Sequence, residues 1–294
     1  MPVKTAEDNP FQVLIQETNN DPAEIQACYE SHRVNRNKQQ STTILAESFP
    51  GWSLDEILKR LDGPEKEEGF VDPRNCLVIW AKPPQHIRDM IAFVQNELKD
   101  VAPSLWIMPP ENLHTTVLEV AHSLTKEQID NLVHVLESSE NMSAAEIAEY
   151  PLTRLVKPMI SFDSAAMALS FVPAAGETSN EQGNSGSDSD QYTYHHLRAD
   201  VFDMVRKAGI QVASRYIHPS AHLTIARFIN QNGFVVKRAE GEINEVNKKL
   251  ESEFWPRGDG SIPDGGEWIV GGDRGFVIQR GRLWYGGGDN VAYS

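Results

Sequence analysis

Cysteine is nearly absent from this 294-residue chain, which contains only Cys28 and Cys76. Two thiols exclude a disulfide-stapled scaffold and a four-cysteine zinc site, and they suit a reducing compartment. No apolar run reaches the ~18 residues a membrane-crossing helix needs. The opening stretch MPVKTAEDNPFQ has one lysine and no apolar segment, so no secretory signal is expected, and the expected setting is the cytoplasm or nucleus. Basic charge is also scarce: 27 Lys and Arg stand against 42 Asp and Glu, a net charge of −15. A protein that grips a long duplex by its phosphates needs a basic surface, so duplex nucleic acid and membrane are not expected partners. A small anion remains compatible with this composition where the field at one site is positive. The glycine groups at 265–266, 271–272 and 286–288 match no phosphate-cradling G-x-x-x-x-G-K-[S/T] pattern and read as turns.

Hydrophobic residues make up 40% of the chain, enough for one large or two small cores. Residues 1–70 form a polar, partly helical extension. A helix is expected within 22–40, and Ser53 with Glu56 reads as a capping box before Leu54, Ile57, Leu58 and Leu61. Residues 71–294 carry the main pattern. A strand at 76–81 precedes a helix with apolar positions Ile87, Met90, Ile91, Val94 and Leu98. Extended segments follow at 105–108 and 114–120. Thr125 and Gln128 form a capping box for a helix with Ile129, Leu132, Val133 and Leu136. The segments 159–162 and 167–172 read as a hairpin. Residues 174–190 hold four acids and no base, so a disordered insert is expected. His195 and His196 at its edge are expected to face solvent or pack partly. A third helix (Leu197, Val201, Met204, Val205, Ala208), a strand at 222–229 and a fourth helix (Ala239, Ile243, Val246, Leu250, Phe254) follow. The tail offers strands at 268–270, 276–280 and 282–285. The two halves thus repeat a strand–helix–strand order, weakly in letters and more clearly in pattern.

Each half has a His-x-Thr tripeptide at the start of its second strand: His114-Thr115-Thr116 and His222-Leu223-Thr224. The histidines lie 108 residues apart. Strand side chains alternate, so each His shares a face with its Thr, and simple alternation continues that face to Leu118 and Val120, or to Ala226 and Phe228. The same alternation puts Arg227 on the opposite face. Two imidazoles around one ligand suit in-line displacement at phosphorus, which needs a base on one side and an acid on the other, and Thr hydroxyls can donate to the non-bridging oxygens. His218 and His222 are four apart, but Pro219 lies between them and no Glu follows His218, which argues against a helical zinc pair. Trp284 and Tyr285 are candidates for stacking a base, and Arg282, Arg154 and Lys157 for neutralising a ligand.

ENLHTTV (111–117) and SAHLTIARF (220–228) resemble the paired signatures of the 2H phosphoesterase superfamily, the LigT-like and 2′,3′-cyclic phosphodiesterase proteins. The resemblance spans roughly residues 75–285 and leaves out residues 1–70 and the insert. It implies a bilobal α+β fold in which two antiparallel or mixed sheets line a central cleft, with helices outside. It also implies metal-independent opening of a 2′,3′-cyclic phosphate on a nucleotide or RNA end, to a 2′-phosphate, without a cofactor. His222 would activate water, His114 would protonate the leaving 3′-oxygen, and Thr116 and Thr224 would hold the phosphate. The residues do not decide which His takes which role. Other members trim RNA 3′ ends or join RNA 2′–5′. A non-catalytic nucleotide- or RNA-end-binding module is the rival from another class. A monomer is expected.

Overall fold

The computed structural model describes residues 9–63, 65–139, 143–178, 189–231 and 236–291. The elements are α1 (Gln12–Glu17), α2 (Pro22–Leu45), α3 (Glu56–Asp62), β1 (Asn75–Ala81), α4 (Gln85–Val101), β2 (Leu105–Ile107), β3 (Thr115–Leu124), α5 (Lys126–Glu137), α6 (Ala144–Ile147), β4 (Thr153–Phe162), β5 (Ala166–Pro173), α7 (Tyr194–Lys207), β6 (Ala221–Phe228), α8 (Val236–Phe254), β7 (Glu267–Val270), β8 (Phe276–Gly281) and β9 (Asp289–Asn290). They form an α+β fold with two antiparallel sheets, ordered β3-β1-β8-β9 and β2-β6-β5-β4-β7. Among the described residues, no helix is long and apolar enough to cross a membrane.

The two strand–helix–strand units, β1-α4-β3 and β5-α7-β6, are interleaved. α7 packs on β3 of the other sheet, α4 packs on β6, and β2 leaves the first unit to pair with β6. The periodic face of α4 explains this: Ile87, Met90, Ile91, Val94 and Leu98 are all buried, and an apolar stripe of that width needs a partner surface. Ile129, Val133 and Leu136 of α5 are buried likewise, and its Thr125–Gln128 capping box forms as expected. In α8, Ile243, Val246 and Leu250 are buried, while the side chain of Ala239 lies outside the described residues.

Several expectations need correction. The first concerns α3, which is capped by Asp55 rather than Ser53: the Asp55 carboxylate accepts from the Leu58 N–H, while the Ser53 N–H bonds the Ser164 carbonyl of the β4–β5 hairpin. Second, the extension, read as lying outside the main domain, shares its core. Phe11, Ile25, Tyr29, Ile44, Trp52 and Leu58 are buried in the same core as the main domain. Third, the segment 282–285 is no regular strand, because it runs into Gly286, Gly287 and Gly288, all at left-handed φ.

The fourth correction concerns the insert. Residues 179–188 lie outside the described residues, but the ends of the segment are pinned. The Thr178 N–H donates to the Gly260 carbonyl at 2.9 Å. Asp190 is 4% exposed and accepts from the Gly176 N–H at 2.7 Å. It also pairs with Arg154 at 3.1 Å, and Arg154 bonds Glu267 at 2.9 Å. Removing one partner from a buried ion pair leaves its counter-charge stranded. Asp190→Ala is therefore expected to destabilise the chain by about 3 kcal/mol in denaturant unfolding. An unchanged midpoint would contradict this.

His195 is also buried rather than solvent-facing, at 1% exposure. Its Nε2–H donates to the Phe11 carbonyl and its Nδ1 accepts from the Tyr29 hydroxyl, both at 2.9 Å, so α7 is tied to the extension through a neutral imidazole. Burial, first, and then the Arg198 charge lower its pKa to about 3. Below an unfolded value of about 6.5, the unfolded chain takes up a proton that the folded chain refuses, so stability falls with pH from 6.5 towards 3. Between pH 7 and 5 this one group costs about 2 kcal/mol. His195→Gln is expected to show a correspondingly shallower loss over that interval. Parallel pH dependences would refute the assignment.

Candidate functional site

β3 and β6 touch where the two sheets meet, and each carries the same irregularity. Thr116 pairs with Trp80 and Leu118 with Ile79, so Val117 is an extra residue in β3. Thr224 pairs with Ala168 and Ala226 with Met167, so Ile225 is an extra residue in β6. Val117 and Ile225 stand at matching places, each directly after the Thr of its motif. An extra residue shifts the alternation of everything beyond it. The cleft faces therefore continue to Glu119 and Arg227, not to Leu118 and Val120 or Ala226 and Phe228, which are buried. Arg227 thereby joins the face of His222 and Thr224, contrary to simple alternation.

The two imidazoles are held alike. His114 Nδ1–H donates to the Asn112 carbonyl at 2.7 Å, and His222 Nδ1 bonds the Ser220 hydroxyl at 2.9 Å, in each case two residues upstream. The carbonyl only accepts, so the neutral His114 carries its proton on Nδ1 and leaves Nε2 as a free base. Among the described residues neither Nε2 has a partner. The His114 ring stacks on Trp80 at 3.7 Å between centroids, which fixes its plane. Gly286 packs so close to Asn112 that a Cβ there would lie 2.2 Å from the Asn112 side chain, and its φ of 84° favours glycine. The 282–286 turn thus braces the residue that holds His114. Burial is the main reason the His114 pKa falls to about 3 despite the Asn112 bond, with Lys82, His222 and Arg227 adding to the fall. Burial and then Arg198 lower that of His222 to about 4. Both rings are therefore neutral at pH 7.

His114, Thr116, His222 and Thr224 line one compartment of about 70 Å³. It opens into a larger one of about 280 Å³, which shares Thr116, His222, Thr224, Arg227 and Trp284. Four arginines line the larger compartment (Arg33, Arg36, Arg198 and Arg227) against one carboxylate, Asp163. Three of the four are paired with carboxylates, Arg33 with Glu30, Arg36 with Asp163 and Arg227 with Asp55. Arg198, buried on α7, donates to the carbonyls of Val117, Tyr216 and His218, and among the described residues no carboxylate neutralises it. It satisfies the carbonyl of the extra residue in β3 while placing a full charge beneath the cleft. Arg227 Nε and Trp284 Nε1 are buried donors with no partner among the described residues. Such donors carry a desolvation cost unless a ligand oxygen meets them.

No protein-family model matches the chain, and no curated protein matches it. Among solved structures, a conserved protein of unknown function from Agrobacterium tumefaciens is similar at 10% identity, with a TM-score of 0.47, over 82% of this chain and 99% of its own.

The remaining candidates disperse. Trp284 lines both compartments, and the guanidiniums of Arg74 and Arg215 lie over its ring at 4.4 and 5.0 Å. Tyr285 lies behind the site: its hydroxyl donates to Asp55 at 2.6 Å and accepts from Arg74 at 2.9 Å. Asp55 also meets Arg227 at 3.4 Å, so Tyr285 helps to position that arginine. Arg282 lines a separate surface groove with Lys126 and Asp289. Arg154 and Lys157 are engaged by Asp190, Glu267, Gln26 and Glu177, away from the cleft. Arg198, Glu119 and the α2 side chains went unseen in the sequence. For Arg198 the available signal was a charged residue on the apolar side of a helix, one turn after Tyr194. Among the described residues, no group of three or more His, Cys, Asp or Glu side chains converges as a metal site would.

Proposed function

We propose that the chain is a phosphoesterase that opens 2′,3′-cyclic phosphates of nucleotides or RNA ends, by acid–base catalysis between His114 and His222. One observation carries this reading: two imidazoles, each held at Nδ1 from two residues upstream and each free at Nε2, line one small compartment with two threonine hydroxyls. Binding an anion needs no such pair of proton carriers, and in-line displacement does.

His222 Nε2 takes a proton from water as the water oxygen bonds phosphorus. The bond from phosphorus to the 3′-oxygen breaks, and that oxygen receives the proton of His114 Nε2. The product is a 2′-phosphate, and the two rings exchange protons with solvent to reset. Thr116, Thr224, Arg227 Nε and Trp284 Nε1 supply donors to the non-bridging oxygens, where charge accumulates. Both rings are neutral at pH 7 in the free enzyme, so the proton needed by the acid enters with the substrate, whose negative charge raises the affinity of the pair for it.

The test is incubation of the full chain with 2′,3′-cyclic nucleotides in EDTA, with the product followed by phosphorus NMR. Turnover to a 2′-phosphate, undiminished by the chelator, is expected. Tight binding without turnover would favour a binding module, and loss of activity in EDTA a metallohydrolase.

A further inference from the structure

The larger compartment extends past the catalytic pair to a wall built by α2, a helix of the polar extension. His32, Arg33 and Arg36 face it at helical spacing, opposite His218 and Asp163. The His32 and His218 rings stack at 5.6 Å between centroids, 13° from parallel, and among the described residues neither ring has a hydrogen-bond partner. Burial, His218 and Arg36 together keep the His32 ring below its ordinary pKa. Arg36 reaches Asp163 at 2.6 Å, but its side chain is 49% exposed and has donors to spare. The other oxygen of Asp163 is already committed to the Ala165 and Ala166 N–H groups of the hairpin turn. Arg33, with its side chain 5% exposed, bonds Glu30 and two carbonyls, yet its Nε has no partner among the described residues. Stacked imidazoles with no hydrogen-bond partner among the described residues, beside two arginines, form a surface whose N–H donors an anion can engage. The compartment that holds His114 is about 70 Å³, enough for the reacting phosphate, and leaves this wall for a different group.

We propose that this wall is a second anion subsite, and that the substrate carries a second phosphoryl group besides the one between His114 and His222. The inference rests on the function proposed above and narrows its substrate class. The second group is either the internucleotide phosphodiester of an RNA end or a 5′-phosphate on a mononucleotide.

The test compares kcat/KM of the full chain on three substrates: a nucleoside 2′,3′-cyclic phosphate, its 5′-phosphorylated form, and a dinucleotide ending in the cyclic phosphate. Wild type is expected to favour one of the two-phosphate substrates by about tenfold or more, and the favoured one identifies the source. In Arg36→Gln and in His32→Ala the preference should shrink to about twofold. No preference in wild type, or one that survives both substitutions, overturns the subsite. If wild type turns over none of the three, the proposed function fails and binding decides the subsite separately. A nucleoside 3′,5′-bisphosphate should then bind about tenfold tighter than the 3′-monophosphate, and Arg36→Gln should abolish the difference. Equal affinities in wild type overturn it.

Discussion

His114→Ala and His222→Ala are each expected to lose about 10²–10⁴-fold in turnover of a 2′,3′-cyclic nucleotide, or roughly 3–5 kcal/mol of transition-state stabilisation. Each removes one of two proton carriers, and the hydroxyls and buried donors that remain can still hold the phosphate. The double variant should therefore lose far less than the product of the single losses, because groups acting as a unit are not additive. His114 also stacks on Trp80, so His114→Ala removes packing as well as a proton carrier. His114→Gln, which fills more of that space, is the cleaner comparison, with the unfolding midpoint as the check on folding. Thr116→Ala and Thr224→Ala should cost about tenfold, since each removes one neutral donor among several. Near-wild-type turnover in either histidine variant would sink the two-imidazole mechanism whatever the fold.

The pH dependence should be steep and should favour acid. Catalysis needs one proton shared by the pair, and in the free enzyme the two rings have pKa values of about 3 and about 4. Above the higher value, the fraction carrying that proton falls tenfold per pH unit. Because kcat/KM reports the free enzyme, its logarithm should fall with a slope of about −1, losing roughly 10³-fold between pH 5 and 8. The cyclic phosphate is a monoanion throughout that range, so the slope belongs to the protein. In the complex the phosphate charge raises both values, and the alkaline limb of kcat should lie at higher pH than that of kcat/KM. A kcat/KM profile centred on neutrality would show that burial does not hold the free imidazoles neutral. Assays belong above pH 5, where the acid loss of stability traced to His195 is still partial.

Much of the site was legible in the letters. His-x-Thr at a strand start places both side chains on one face by the two-residue period, and that argument is local, needing no partner strand. The same holds for the α4 stripe and the Thr125–Gln128 cap, where spacing alone names the buried face and the first turn. The extra residues Val117 and Ile225 left no such trace. A β-branched residue suits either side of a pleat, so nothing in the sequence says that the register slips there; only the pairing with β1 and β5 decides it. From that slip follow the turn of Arg227 towards His222 and the entry of Glu119 into the cleft. α2 was legible as a helix but not as part of the site, because its cleft-facing residues are His and Arg, which a sequence reading assigns to solvent. Arg154 and Asp190 show the converse: read as a candidate for neutralising a ligand and as an acid of the insert, they are buried against each other. By itself, then, the sequence determined which side chains could share a strand face. The tertiary structure alone decided which faces meet and which charges lose their water, since both depend on contacts between segments far apart in the sequence, 36 residues for Arg154 and Asp190 and 113 for Arg154 and Glu267.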